Sequence, residues 1–204
     1  NTGDGAGIMM QTPHEFFFDE CIRLGVHLPS FGKYAVGVLF FPKEIRIREE
    51  CRDIFNRSAE KLGLEILCYR KVPVNPEGIG VTALSVEPEI EQVFIASPDY
   101  IKNPDEFERK LFILRKYATH TIQNTVKKDA IGFYIASLSY KTIVYKGQLT
   151  SLQLRNYFPD LNNKKVVSAF GLIHSRFATN TFPSWRLAQP FRYIAHNGEI
   201  NTLQ

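Results

Sequence analysis

A chain of 204 residues with 44% hydrophobic and 13% aromatic content is long enough to bury a core of ordinary globular kind. The net charge of +4 is scattered. Lys127-Lys128 and Lys164-Lys165 are isolated pairs, acids interleave elsewhere, and no basic stripe marks a nucleic-acid footprint. The longest apolar run, 35–41, is far too short to span a bilayer.

The three cysteines, Cys21, Cys51 and Cys68, are widely spaced. No CxxC or Cys/His spacing is present, so neither zinc nor a disulfide framework is expected. Each cysteine reads as a small buried hydrophobe. Residues 2–7, Thr-Gly-Asp-Gly-Ala-Gly, do not follow the nucleotide-binding GxGxxG pattern. They predict a strand start at which glycines let neighbouring chains approach.

Thr12-Pro13-His14-Glu15 predicts a capped helix start, with Thr12 as the cap and Glu15 closing a capping box. Phe17, Cys21 and Leu24 line one face, and Gly25 suits the end. His14 and His27 lack partners at ligand spacing and read as surface residues. A buried strand is expected over 34–41, a helix over 44–62 and a strand over 64–72. Ile47, Cys51, Ile54, Phe55, Ser58 and Leu62 share the face of that helix, and Gly63 ends it. Strand, helix and strand together suggest an α/β unit.

Residues 72–80 form a turn-rich connector, and 90–96 a further strand. Asn103-Pro104-Asp105-Glu106 caps a helix running to about 119, with Phe107, Leu111, Leu114 and Ala118 inward. Residues 131–138 and 142–146 read as a hairpin turning near Tyr140-Lys141. A short helix over 149–157 is closed by Pro159. Strands over 166–173 and 191–195 deliver two polar clusters.

The first cluster is His174-Ser-Arg-Phe-Ala-Thr-Asn-Thr181, and the second is His196-Asn-Gly-Glu-Ile-Asn-Thr202. Arg176 offers a planar fork of donors that fits a carboxylate. Ser175 and Thr179 offer hydroxyls. Asn197 carries an amide donor, and Gly198 leaves its backbone N–H open to a ligand. An amide side chain beside such an N–H makes an oxyanion hole. Arg176 alone is better explained by a salt bridge at a polar strand end. The two clusters together point to a site for a small zwitterion and a developing oxyanion.

These two runs, with Ala188-Gln-Pro190 between them, resemble the class II glutamine amidotransferases in their glutamate synthase branch. So do Asn1-Thr-Gly-Asp-Gly-Ala-Gly-Ile8, Val72-Pro-Val-Asn75, Ile90-Glu-Gln92 and Thr142-Ile-Val-Tyr-Lys-Gly147. The resemblance implies an α+β fold. This is the αββα sandwich of the N-terminal-nucleophile hydrolases, with an α/β elaboration over about 26–129, a motif-bearing core over 130–204, and both ends incomplete. It implies that Arg176, Phe177, Thr179 and Asn180 hold L-glutamine while Asn197 and Gly198 stabilise the oxyanion.

The family's nucleophile is an N-terminal cysteine whose own α-amino group acts as base. An ordinary α-amino pKa of about 7.7–8.0 suits that role. This chain begins with Asn1, and an internal fragment without the nucleophile is expected. The resemblance further implies a cytoplasmic parent whose synthase domain carries FMN and an iron–sulfur cluster, with a reductase subunit or ferredoxin as possible partner. No cofactor or metal is expected in this fragment. The alternative is a non-catalytic domain of the same fold that binds an amino acid or a subunit. A different class II amidotransferase fits less well, given Ala188-Gln-Pro190 and Glu199-Ile-Asn-Thr202.

Overall fold

The computed structural model describes residues 5–175, 183–192 and 194. In chain order the elements are β1 (Ala6–Gln11), α1 (His14–Arg23), β2 (Tyr34–Phe41), α2 (Ile45–Lys61), β3 (Glu65–Lys71) and α3 (Val81–Ser85). Then come β4 (Glu89–Ala96), α4 (Pro104–Val126), a 3-10 turn (Lys127–Gly132), β5 (Tyr134–Ser139) and β6 (Thr142–Gly147). Last are α5 (Ser151–Tyr157), a second 3-10 turn (Pro159–Asn162) and β7 (Gly171–His174). No helix among the described residues is long and apolar enough to cross a membrane.

The fold mixes helices with two antiparallel sheets, ordered β6-β1-β7 and β3-β4-β2-β5. Strands β2 and β3 both run antiparallel to β4, so they are parallel to each other with β4 between them. Strands β4 and β5 flank β2 in the same way. The expected α/β unit is therefore a split one, doubled in the ferredoxin-like order.

Alternation along β2 divides the interior. Ala35, Leu39 and Phe41 face α2 and α4, meeting Cys51, Phe55, Leu111 and Ala118. Val36, Val38 and Phe40 face the other way, toward Met10 and Tyr145 of the three-stranded sheet, Phe17 of α1 and Tyr157 of α5. Because both faces are covered, all eight residues of β2 are buried, which explains its unbroken apolar run.

Helix ends follow the glycines. Gly25 has φ +72°, its N–H donates to the Ile22 carbonyl at 2.9 Å, and the Val26 N–H donates to Cys21 at 2.9 Å. Gly63, at φ +65°, repeats the pattern on Glu60 and Ala59. Both are Schellman caps. Asn103 caps α4 by accepting from the Asp105 N–H at 2.9 Å. That helix runs beyond the expected end because Ile122 and Val126 continue its buried stripe and nothing interrupts it.

Several expectations are corrected. Thr12 does not cap α1, which starts at His14. The Thr12 N–H donates to the Lys141 carbonyl at 2.9 Å, prolonging the sheet, and a residue before proline is held extended. Leu24 is exposed. The hairpin over 131–146 turns where expected, but its strands join different sheets. Side-chain bonds replace the ladder: Ser137 Oγ accepts from the Val144 N–H at 3.2 Å. Residues 166–170 form no strand. Ser168 Oγ takes the Gln11 N–H at 3.0 Å, and Gln11 Oε1 takes the Ala169 N–H at 2.8 Å. Phe191 and Ile194 exchange both backbone bonds at 2.8 Å, making a tight turn rather than a strand.

One buried polar network ties the layers together. Arg70 of β3 grips Asp160 through two bonds of 2.7 and 2.8 Å, donates to Glu20 of α1 at 2.7 Å and to Gln92 of β4 at 2.9 Å. Gln92 donates to Tyr145 of β6 at 2.9 Å, and Tyr145 donates to Asp160 at 3.0 Å. Burial opposes the charge on Arg70, but the Asp160 and Glu20 carboxylates outweigh it and raise its pKa. Burial and then Asp160 push the Tyr145 phenol well up. Arg70→Met would leave Asp160 buried without its cation. A loss of about 3–5 kcal/mol of unfolding free energy is expected in urea titrations; a loss under about 1 kcal/mol would refute this role.

Candidate active site

The three-stranded sheet defines one edge of interest. In its register Lys146 of β6, Gly7 of β1 and His174 of β7 stand in one row across the strands. The strands are antiparallel, so β1 begins where β6 and β7 end. Chain entering β1 and chain leaving β7 therefore meet at the same edge. Ser175 follows β7 there and is exposed.

The connector over 183–192 packs directly on this row. A Cβ on Gly7 would fall 2.5 Å from the Gln189 carbonyl oxygen and 2.6 Å from Lys146 Cβ. No side chain fits, so glycine is required there by close approach. A Cβ on Gly147 would meet the Trp185 ring at 2.4 Å. The indole N–H of Trp185 donates to the Ala83 carbonyl at 2.9 Å, and its ring packs 5.2 Å from Tyr157.

Lys146 is 0% exposed. Its Nζ donates to the Arg186 carbonyl at 2.9 Å and lies over the rings of Tyr134 and Phe191, at 4.8 and 4.6 Å. Burial, then the nearby Arg192, lowers its pKa well below the usual lysine value. Arg192 donates to the Ile135 carbonyl at 3.2 Å, anchoring the end of the connector.

Similarity over the whole chain decides the family. The family model for class II glutamine amidotransferases matches residues 1–204. The chain belongs to the class II glutamine amidotransferases. It is 49% identical to the NADH glutamate synthase of Schizosaccharomyces pombe over 99% of its length. It is 45% identical to the NADPH glutamate synthase large chain of Bacillus subtilis over all of it. It is 40% identical to a chloroplastic ferredoxin-dependent glutamate synthase of Arabidopsis thaliana, again over all of it. The chain spans about a tenth to an eighth of these relatives, 10%, 13% and 12% respectively.

Within this amidotransferase chain, the sequence-derived site residues Arg176, Phe177, Thr179, Asn180, Asn197 and Gly198 lie outside the described residues. The frame on either side is described: β7 stops two positions before Arg176, and the connector leads toward Asn197. Sequence reasoning missed Lys146, Gly147 and Trp185 as parts of that frame. The available signal was a lysine within the otherwise apolar strand Ile143-Val-Tyr-Lys146, followed at once by glycine.

The cysteines are accounted for elsewhere. Cys51 is on the buried face of α2, and burial, with Glu50, pushes its thiol up to about 11. Cys21 and Cys68 are neighbours: Cys68, then burial, pushes the Cys21 thiol up, and Cys21 holds Cys68 down. Both pack in the second core cluster.

The Gly7 contact is directly testable. Gly7→Ala should cost about 1–3 kcal/mol, as overpacking does, and should loosen 183–192 first. Denaturant titration gives the first quantity and hydrogen exchange of the connector amides the second. Unchanged exchange there would contradict the close packing.

Proposed function

We propose that this chain is the glutamine-hydrolysing part of a glutamate synthase. It would cleave the side-chain amide of L-glutamine to glutamate and ammonia, the ammonia passing to a synthase domain that makes glutamate from 2-oxoglutarate. The observation that carries this reading is the shared sheet edge. Chain entering β1, the side from which the family's cysteine comes, and chain leaving β7, which continues into Arg176, meet at the row Lys146–Gly7–His174. The connector that leads to Asn197 and Gly198 is packed on the same row. The finer fold assignment, an αββα sandwich with an elaboration over 26–129 on a core over 130–204, belongs to this proposal.

In this reading Arg176 holds the α-carboxylate of glutamine through paired hydrogen bonds. Phe177, Thr179 and Asn180 shape the pocket. The cysteine thiol, losing its proton to the α-amino group, attacks the side-chain carbonyl carbon. The carbonyl oxygen becomes an oxyanion held by the Asn197 amide and the Gly198 N–H. Collapse expels the amide nitrogen, which takes that proton back from the α-ammonium and leaves as ammonia, and a thioester remains. Water then hydrolyses it to glutamate and restores the thiol.

FMN and the iron–sulfur cluster are assigned to other domains. An iron–sulfur cluster needs its thiolate ligands gathered at one point, and the cysteines here are divided between two core clusters, Cys51 in one and Cys21 and Cys68 in the other. The residues do not fit that group. A cytoplasmic setting, and a reductase subunit or ferredoxin as electron source, belong to the proposal as well.

Covalent trapping tests the reading. The full-length polypeptide, with its natural processed N-terminus, is treated with a diazo-ketone glutamine analogue and the adduct is mapped by mass spectrometry. An adduct on an N-terminal cysteine is expected, and Arg176→Ala should abolish it. Asn197→Ala should lower kcat by roughly 10²–10³-fold. Glutamine binding with no adduct would instead favour the binding-domain alternative.

A further inference from the structure

Lys146 is a buried cation outside the residues assigned to the reaction. Taking an ammonium out of water costs several kcal/mol unless its donors are satisfied. Among the described residues no carboxylate pairs with it; its partners are a backbone carbonyl and two aromatic faces. Two of those partners, Arg186 and Phe191, lie on the connector, and they bracket Gln189, whose carbonyl rests on Gly7. The third, Tyr134, is at the start of β5. The ammonium therefore reaches from the sheet edge to both halves of the connector. A methionine of similar volume would fill the space without the desolvation cost. What the amine adds is a directed N–H bond to the Arg186 oxygen and, when protonated, attraction to the Phe191 ring face.

We propose that Lys146 is a positioning residue for amide hydrolysis: by clamping 183–192 to the β1–β6 edge, it sets where the following segment presents Asn197 and Gly198. This rests on the functional reading above. Oxyanion donors act only when held at the place where charge develops, and a displacement of about 1 Å can cost roughly 10²-fold in rate. The clamp acts through the connector rather than on substrate. Its loss is expected in kcat, with substrate capture by the Arg176 cluster, which follows β7 instead, little changed.

The test compares full-length wild type, Lys146→Met and Phe191→Leu. Lys146→Met is expected to lower the kcat of glutamine hydrolysis by about 10–100-fold with KM within about threefold, given the cost of ångström-scale misplacement. Amide exchange should rise in 183–192 while β1 and β6 stay protected. Phe191→Leu keeps the ammonium and removes one ring face, so it should show the same pattern more weakly and remains informative if Lys146→Met fails to fold. An active wild type with unchanged kcat in a folded Lys146→Met, or with a loss equal in kcat and in protection of the whole sheet, would overturn the clamp alone. A wild type that neither hydrolyses glutamine nor takes the diazo-ketone label would overturn the functional reading, and the clamp with it.

Discussion

The missing side chain at Gly7 is the constraint on which the rest of the candidate site depends. Backbone from three places converges there: β1 itself, β6 through Lys146, and the connector through Gln189. At 2.5 Å from a hypothetical Cβ, the Gln189 oxygen occupies the volume that any other residue would fill. Strand pairing then brings β7 into the same row. An active site assembled from distant segments needs such a junction, because each segment must be located to within a fraction of an ångström by something other than its own local preferences.

The four-stranded sheet supplies rigidity behind that junction. Its two faces are sealed differently. The α2 and α4 face is mainly apolar, closed by aliphatic and aromatic side chains, with the Arg52–Glu91 pair as its charged contact. The face toward β1 and β6 contains the Arg70 network as well as apolar packing, so the two sheets are fixed in direction as well as in distance. Apolar contact alone tolerates sliding; hydrogen bonds from Arg70 to Asp160 and from Gln92 to Tyr145 do not. Tyr145 is the residue next to Lys146, and the network therefore ends one residue from the candidate site.

Much of the scaffold could be read from the sequence, for local reasons. Strand β2 is covered on both faces and so is continuously apolar. Helix α2 shows its buried face at helical spacing, and Gly25 and Gly63 supply the left-handed residues that end their helices. The failures were long-range. Thr12 has the chemistry of a cap, yet its backbone N–H is taken by Lys141 from the far side of the chain. Val166, Val167 and Phe170 are strand formers, yet Ser168 and Gln11 bond through side chains where a ladder would have continued. The hairpin at Tyr140-Lys141 was visible as a turn, but which sheet each arm joins depends on partners remote in sequence. For the site, residue types and spacing carried the two polar clusters. The frame around them was not legible, since nothing local says that Lys146 is buried or that the Arg186 carbonyl meets it.

The two buried cations clarify how such a frame divides its work. Arg70 is matched by two carboxylates and fixed by a planar fork, a directional arrangement that is strongly penalised if broken. Lys146 has one carbonyl and two ring faces, each worth about 1 kcal/mol, with a rotatable point charge at their centre. The first suits a permanent joint between sheets. The second suits a segment that must be held in register yet follow small adjustments as a ligand enters and leaves, because an ammonium keeps most of its attraction when a ring or carbonyl shifts by a few tenths of an ångström. The stiff contact lies in the core and the compliant one at the edge leading toward Asn197 and Gly198, which is the order that the oxyanion hole proposed for those two residues would require.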